Sequence, residues 1–114
     1  MISNLTVINP SAKIGSNVTI GHKALLHACT IEDNAFIGMG AIILDYAKVE
    51  SGAMVAAGAV VPPKKVIPSG QIWAGNPAKY LRDMSQEEKD FIPISADNYA
   101  KHVYEYLDIM KVQK

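Results

Sequence analysis

An aliphatic or aromatic residue returns at every sixth position through most of this chain. The spacing holds from Ile8 to Leu26, shortens once to five residues, and resumes from Ile31 to Trp73. A helix repeats its buried face every 3.6 residues and a strand every two, so neither element alone produces the pattern. A coil of six-residue units does. The repeated residues, called anchors below, are Ile8, Ile14, Ile20, Leu26, Ile31, Ile37, Ile43, Val49, Val55, Val61, Ile67 and Trp73.

Small residues occupy fixed places between the anchors. The residue four positions after an anchor is usually alanine, which indicates a second inward position with little room. Glycine follows three anchors directly at Gly15, Gly21 and Gly38, and we expect these glycines to form corners with positive φ. The same is expected of the residues three positions after an anchor, which include Asn17, Asn34, Gly40, Gly52 and Gly58. Three units then make an eighteen-residue coil of short parallel strands, and about four coils stand about 20 Å tall.

The chain divides into two predicted parts. Residues 1–80 form the coil, and residues 81–114 form a helical segment that packs on it. Ser85-Gln86-Glu87-Glu88 has the pattern of a capping box and predicts a helix start. Pro93 is expected to interrupt or kink this helix, and Ser95 to cap a second segment. The apolar stripe of that second segment comprises Tyr99, Val103, Tyr106 and Met110.

Composition excludes several classes of function. Eleven basic and eleven acidic residues give a net charge of zero, so the chain has no electrostatic footprint for nucleic acid or an anionic membrane. No apolar run reaches membrane-spanning length, and we expect no direct membrane span. The single cysteine, Cys29, excludes a disulfide within the chain, and we expect it to be a buried small residue.

Two histidines form the clearest polar constellation. His22 and His27 stand five residues apart in Gly21-His22-Lys23-Ala24-Leu25-Leu26-His27. On six-residue faces they are expected on successive faces near one corner, where two imidazoles of one chain do not easily meet. Packing of one chain against another could still bring them into a shared metal site.

The residues around these histidines resemble the gamma-class carbonic anhydrases. The matching stretches are Ile20-Gly21-His22, His27-Ala28-Cys29-Thr30-Ile31, Ile37-Gly38-Met39-Gly40-Ala41 and Val55-Ala56-Ala57-Gly58-Ala59. The later stretches Ile67-Pro68-Ser69-Gly70 and Trp73-Ala74-Gly75-Asn76-Pro77-Ala78-Lys79, with the tail, are similar to mitochondrial members attached to respiratory complex I. The resemblance covers nearly the whole chain.

The resemblance implies a fold and an activity. The fold is all-β, a left-handed parallel β-helix of hexapeptide repeats with a C-terminal α-helix, assembled as a homotrimer or as a heterotrimer with related chains. A zinc or iron ion binds three histidines at each interface, and the reaction is the reversible hydration of carbon dioxide to bicarbonate. His22 matches the family's middle ligand and His27 its last, contributed by different subunits. Tyr99 is a candidate to line the site.

The resemblance also implies a departure from the family. The family's first ligand histidine lies upstream of the matching segment, and no histidine precedes His22 in this N-terminally shortened sequence. Catalytic zinc generally uses three protein ligands and one open position, so weaker metal binding is expected. Three alternatives stay open: His102 replaces the missing ligand, another chain supplies it, or His22 and His27 are interface residues without metal.

Alternative functions follow from these features. One is a non-catalytic structural or assembly subunit of mitochondrial respiratory complex I. Another is a hexapeptide acyltransferase, although such enzymes commonly extrude a loop from the coil and the repeats from Ile31 to Val61 run without one. The resemblance implies a mitochondrial location, with a cytoplasmic one as the alternative.

Overall fold

A computed structural model describes residues 2–97 of the chain, with side chains described through Ile92. The chain forms a series of two-residue strands followed by two longer strands and a helix. The strands are β1 (Val7–Ile8), β2 (Lys13–Ile14), β3 (Thr19–Ile20), β4 (Leu25–Leu26), β5 (Thr30–Ile31), β6 (Phe36–Ile37), β7 (Ile42–Ile43), β8 (Lys48–Val49), β9 (Met54–Val55), β10 (Val60–Val61), β11 (Val66–Ile67), β12 (Gln71–Ala74) and β13 (Lys79–Asp83), and the helix is α1 (Gln86–Asp97).

The strands stack into three parallel sheets, which form the three faces of a prism. Face 1 contains β1, β4, β7 and β10, face 2 contains β2, β5, β8 and β11, and face 3 contains β3, β6, β9 and β12. Each strand therefore pairs with the third strand after it, as the six-residue period predicted. The predicted parallel β-helix with a C-terminal helix is confirmed, and no loop interrupts the coil between β5 and β10.

The core consists of the anchors and the alanines between them. Every anchor from Ile20 to Ile67 is buried, and so are the six alanines that follow anchors at the fourth position between Ala24 and Ala59. The five-residue step is accommodated in the corner between β4 and β5. Across it Leu26 pairs with Ile43, seventeen residues later, whereas Ile31 pairs with Val49 at the ordinary spacing of eighteen.

The corners use glycine for two different reasons. Residues three positions after an anchor adopt positive φ as predicted, for example Asn34 at 61° and Gly40 at 69°. The prediction is wrong for the glycines that follow an anchor directly, which do not adopt positive φ. A Cβ at Gly21 would lie 2.6 Å from the backbone N of Met39 in the next coil. These positions lack a side chain because two coils approach closely there.

The chain leaves the coil by an antiparallel turn that the sequence pattern did not indicate. Strand β13 pairs antiparallel with β12 and covers the last edge of face 3. Helix α1 then begins as predicted, since Ser85 Oγ accepts a hydrogen bond from Glu88 N at 3.2 Å and Ser85 N donates to Glu88 Oε1 at 2.8 Å. The predicted division at residues 80 and 81 stays a prediction.

Two expectations about the tail are wrong. Helix α1 runs through position 93, so the expected interruption is absent, while the alternative of a kink there stays a prediction; position 95 lies inside the helix and does not cap a second segment. A proline removes one backbone N–H donor and crowds the carbonyl one turn earlier, but the neighbouring bonds of the ladder can still carry the helix past it. The predicted stripe and the residues Tyr99 and His102 lie outside the described residues.

Helix α1 packs on face 3. Ile92 and Met84 are buried against Phe36 and Ile72, whose side chains point outward from that face. This apolar cluster lies outside the prism and fixes the helix to one of the three faces. Among residues 2–97 no helix is long and apolar enough to cross a membrane.

An ion pair holds the start of α1 and gives it a pH dependence. The guanidinium of Arg82 donates two hydrogen bonds to Glu88, at 2.6 and 2.8 Å, and lowers the pKa of that carboxyl from 4.5 to about 2. Because the folded pKa is depressed, the stabilisation is fully present above pH 4.5 and is lost as the pH falls toward 2. We expect Glu88→Gln to reduce the free energy of unfolding by at most about 1 kcal/mol at neutral pH.

Urea unfolding of the two proteins across this pH range measures the effect. The difference between wild type and Glu88→Gln should shrink steadily below pH 4.5. Glu87→Gln is the matched control, because the Glu87 side chain makes no hydrogen bond among the described residues. A difference for Glu88→Gln that persists unchanged in acid would contradict the role of the charge.

Candidate functional site

Face 1 presents an apolar column that nothing in the described part of the chain covers. The first residue of each strand points outward, and on face 1 these residues are Val7, Leu25, Ile42 and Val60. Face 2 carries Lys13, Thr30, Lys48 and the apolar Val66 at the same places, so only one of its four outward residues is apolar. Face 3 is apolar too, but helix α1 packs on it. Face 1 is therefore the surface on which an apolar contact with another chain is expected.

His22 lies at the corner that leads from face 3 to face 1. It follows Ile20 by two positions and is half-buried. Its carbonyl oxygen accepts a hydrogen bond from Gly40 N of the next coil at 2.8 Å, which fixes the backbone of the corner. The neighbouring Gly21 allows the close approach of the two coils there.

His27 lies at the opposite edge of face 1, directly after strand β4. Its side chain is 48% exposed, and Nδ1 is hydrogen-bonded to Oδ1 of Asp45. Asp45 belongs to the corner that follows β7 in the next coil. The carboxylate and the imidazole therefore come from stacked corners on the same edge of the prism.

Cys29 completes the shortened corner beside His27. It is buried, as predicted, and burial raises the pKa of its thiol to about 11. A thiol with this pKa is almost entirely protonated near neutral pH, so it is a poor nucleophile. Cys29 fills space in the core.

The structure places the two histidines at different corners. The expectation that they lie near one corner is wrong, because the whole width of face 1 separates the corner after β3 from the corner after β4. Within residues 2–97 no three histidine, cysteine, aspartate or glutamate side chains are grouped closely enough to hold a metal ion. One subunit offers two separate imidazoles, which suit zinc or iron but form a complete ligand set only with donors from elsewhere.

Asp45 is the residue of this site that sequence reasoning missed. It lies eighteen residues after His27, and the strand pairing of Leu26 with Ile43 brings the two corners together. The shortened five-residue step could have indicated the contact, because it determines which residues of neighbouring coils stack on each other. No property of Asp45 itself distinguished it from other acidic corner residues.

Comparison with known proteins gives one match to a family and several similar individual proteins. Residues 28–63 match the family described as bacterial transferase hexapeptide (six repeats). Gamma carbonic anhydrase 1, mitochondrial, of Arabidopsis thaliana is 59% identical over 87 residues, which are 76% of this chain and 32% of that protein. Protein YrdA of Escherichia coli is 48% identical over 95 residues, which are 83% of this chain and 52% of that protein.

A solved structure agrees with the fold. The hexapeptide transferase family protein from Anaplasma phagocytophilum superposes with a TM-score of 0.72 at 43% identity, over 86% of this chain and 63% of that one. The chain spans about a third of the length of the plant relative and about half of YrdA. The repeats, the sheet topology and these similarities agree. The chain therefore belongs to the hexapeptide-repeat family, and over three quarters of its length it is similar to a gamma carbonic anhydrase.

Proposed function

We propose that the chain is a gamma carbonic anhydrase-like subunit that contributes His22 and His27 to metal sites between neighbouring subunits, where carbon dioxide is hydrated to bicarbonate. The observation that carries the proposal is the position of the two histidines. They border face 1, the uncovered apolar face of the described prism, and each stands at one of its edges.

Assembly through face 1 would bring the two edges together between different chains. When prisms pack around a three-fold axis, the corner after β3 of one subunit can approach the corner after β4 of the next. The outward side chains of Leu25 and Ile42 would then lose their contact with water, which favours association. A trimer of like or related chains is the assembly that we propose.

The chain's own residues have distinct tasks in this proposal. His22 of one subunit and His27 of its neighbour would donate imidazole nitrogens, and the apolar column of face 1 would exclude water from the interface. A zinc or iron ion, when bound, supplies the positive charge that lowers the pKa of water enough for attack on carbon dioxide near neutral pH. The fit is incomplete within residues 2–97, because a third protein donor is needed.

The source of the third donor separates two versions of the proposal. His102, which lies outside the described residues, is one candidate, and a related chain in a heterotrimer is the other. If neither supplies a donor, the trimer is a structural subunit without catalysis, for example in mitochondrial respiratory complex I. The plant relatives are named as mitochondrial proteins, which supports a mitochondrial location for this chain.

The test is the metal content of the purified assembly, measured by elemental analysis together with its mass. We expect near-stoichiometric zinc or iron on a trimer, and carbon dioxide hydration above the uncatalysed rate. His27→Ala should retain the trimer mass and lose most of the metal, because one imidazole donor is removed from every interface.

Two further results decide between the alternatives. His102→Ala should remove the metal as well if the tail supplies the third donor, and should leave it in place if another chain does. A trimer of the wild-type chain that is free of metal after reconstitution with zinc and with iron would overturn the catalytic proposal and favour the structural one.

A further inference from the structure

The pairing of Asp45 with His27 is built into the stacking of two coils. Leu26 and Ile43 are register partners on face 1, so the residues that follow them come close at the same edge. The backbone of the Asp45 corner is held on both sides. Tyr46 N donates to the carbonyl oxygen of Ala28 below at 2.8 Å, and Lys64 N donates to that of Asp45 from above at 2.9 Å. The carboxylate is thus placed beside the imidazole by main-chain bonds.

The hydrogen bond with Asp45 determines which ring nitrogen of His27 carries the proton. A neutral imidazole carries its proton on one nitrogen and a lone pair on the other. The Asp45 carboxylate accepts a hydrogen bond, so Nδ1 is the nitrogen that carries hydrogen in this pair. Nε2 then keeps the lone pair. Among the described residues Nε2 makes no hydrogen bond, and the side chain is about half exposed.

We propose that Asp45 is a positioning residue that holds His27 in the Nδ1–H tautomer and presents the Nε2 lone pair at the edge of face 1 to a divalent metal ion. A carboxylate behind a ligating histidine fixes the ring and raises its basicity as a ligand. The part of this inference that concerns the metal rests on the proposed function. The part that concerns the tautomer stands on the geometry of one chain.

Other acidic corner residues have different tasks. Asp33 lies in the corner that follows strand β5, and its side chain accepts a hydrogen bond from Ser16 N at 2.8 Å. Glu32 accepts one from Ser51 N at 3.2 Å and lies 3.4 Å from Lys48 Nζ. Each of these carboxylates serves a backbone amide or a lysine. Asp45 instead meets the imidazole of His27, and Asp33 provides a matched control.

The tautomer is measured on the metal-free protein by long-range proton–nitrogen NMR of the histidine rings at about pH 9, where a free imidazole is neutral. His27→Gln identifies the His27 signals. We expect the wild type to show a protonated Nδ1 and an unprotonated Nε2. Asp45→Ala should shift His27 toward the Nε2–H form that free imidazole side chains prefer, and Asp33→Ala should leave it unchanged.

Metal affinity is measured by titration of zinc against a competing chelator in the assembled protein. Asp45→Ala should weaken zinc binding by about 10- to 100-fold, in the range seen when a partner behind a ligand is removed. Asp45→Asn retains an oxygen that can accept from Nδ1–H. It should therefore keep the tautomer and restore part of the affinity, and the tautomer is the readout that a purely structural role for Asp45 would not change.

The two measurements fail in different ways. If the wild type binds no zinc but Asp45→Ala changes the tautomer, the proposed function fails and the positioning of His27 stands. If zinc binds and Asp45→Ala alters neither the tautomer nor the affinity, the positioning role is overturned and the function stands. An Nε2–H tautomer in the wild type would also overturn it.

Discussion

Replacing Ile42 by aspartate is expected to convert the assembly into folded monomers. The Ile42 side chain points outward from the centre of face 1, between the outward residues Leu25 and Val60 of the neighbouring strands. A carboxylate at the centre of an apolar interface would be buried without a partner, which costs about 3 to 5 kcal/mol. Association should therefore weaken at least about a hundredfold. Sedimentation or light scattering measures the mass, and circular dichroism measures the fold.

Thr30→Asp is the control for this substitution. Thr30 is the half-buried outward residue of β5 on face 2, where Lys13 and Lys48 lie above and below it in the same sheet. The new charge has cationic neighbours there, so the assembly should survive. An Ile42→Asp protein with the mass and metal content of the wild type would show that face 1 is not the interface. Loss of assembly in both variants would point to a general effect of added charge.

The fold could be predicted from the sequence because the inward positions repeat with few exceptions from Ile20 to Val61. Each strand has one inward residue and each corner has one, so anchors and alanines alone define the prism. Valine at position 18 is tolerated in place of alanine and remains buried. The five-residue step did not obscure the pattern, because removing one corner residue leaves the strands on either side in place.

The surface could not be predicted in the same way. The residue type at an outward position depends only on what covers that face, and the six-residue repeat carries no information about the cover. Phe36 and Ile42 occupy equivalent outward positions, yet one is buried beneath the helix cluster and the other is uncovered among the described residues. Strand β13 was missed for a related reason. Its residues Lys79–Asp83 are all exposed and show no alternation, and the pairing with β12 is made by the backbone.

In the candidate site, too, the residue types could be predicted from the sequence but their contacts could not. The sequence indicated His22 and His27 as residue types, and the resemblance gave their roles as ligands. Their placement at two corners depends on counting strands, and the contact with Asp45 depends on the shift from eighteen to seventeen residues at one corner. A motif within one coil is visible in the sequence, whereas a contact between coils depends on the register.

Replacing Gly38 by alanine is expected to destabilise the prism by about 3 kcal/mol or more. A Cβ at this position would lie 2.8 Å from the carbonyl carbon of Ala56 and from the Cα of Ala57 in the next coil. Real Cβ atoms do not approach backbone so closely, and the obstructing atoms cannot rotate away as a side chain could. The coils would have to separate, and each coil is stabilised mainly by its neighbours. Overpacking of this kind typically costs about 1 to 3 kcal/mol, and more where the backbone must move.

Gly40→Ala tests whether the effect comes from contact or from backbone conformation. Gly40 has a φ of 69° and no atom within 4 Å of the added Cβ, so the substitution there meets only the preference of alanine against left-handed backbone. That preference costs about 1 kcal/mol, and Tyr46 and Lys64 adopt the same conformation at equivalent corners. Denaturant midpoints should therefore rank wild type above Gly40→Ala and Gly40→Ala well above Gly38→Ala. Equal losses in the two variants would mean that close stacking of coils does not limit the corner at Gly38.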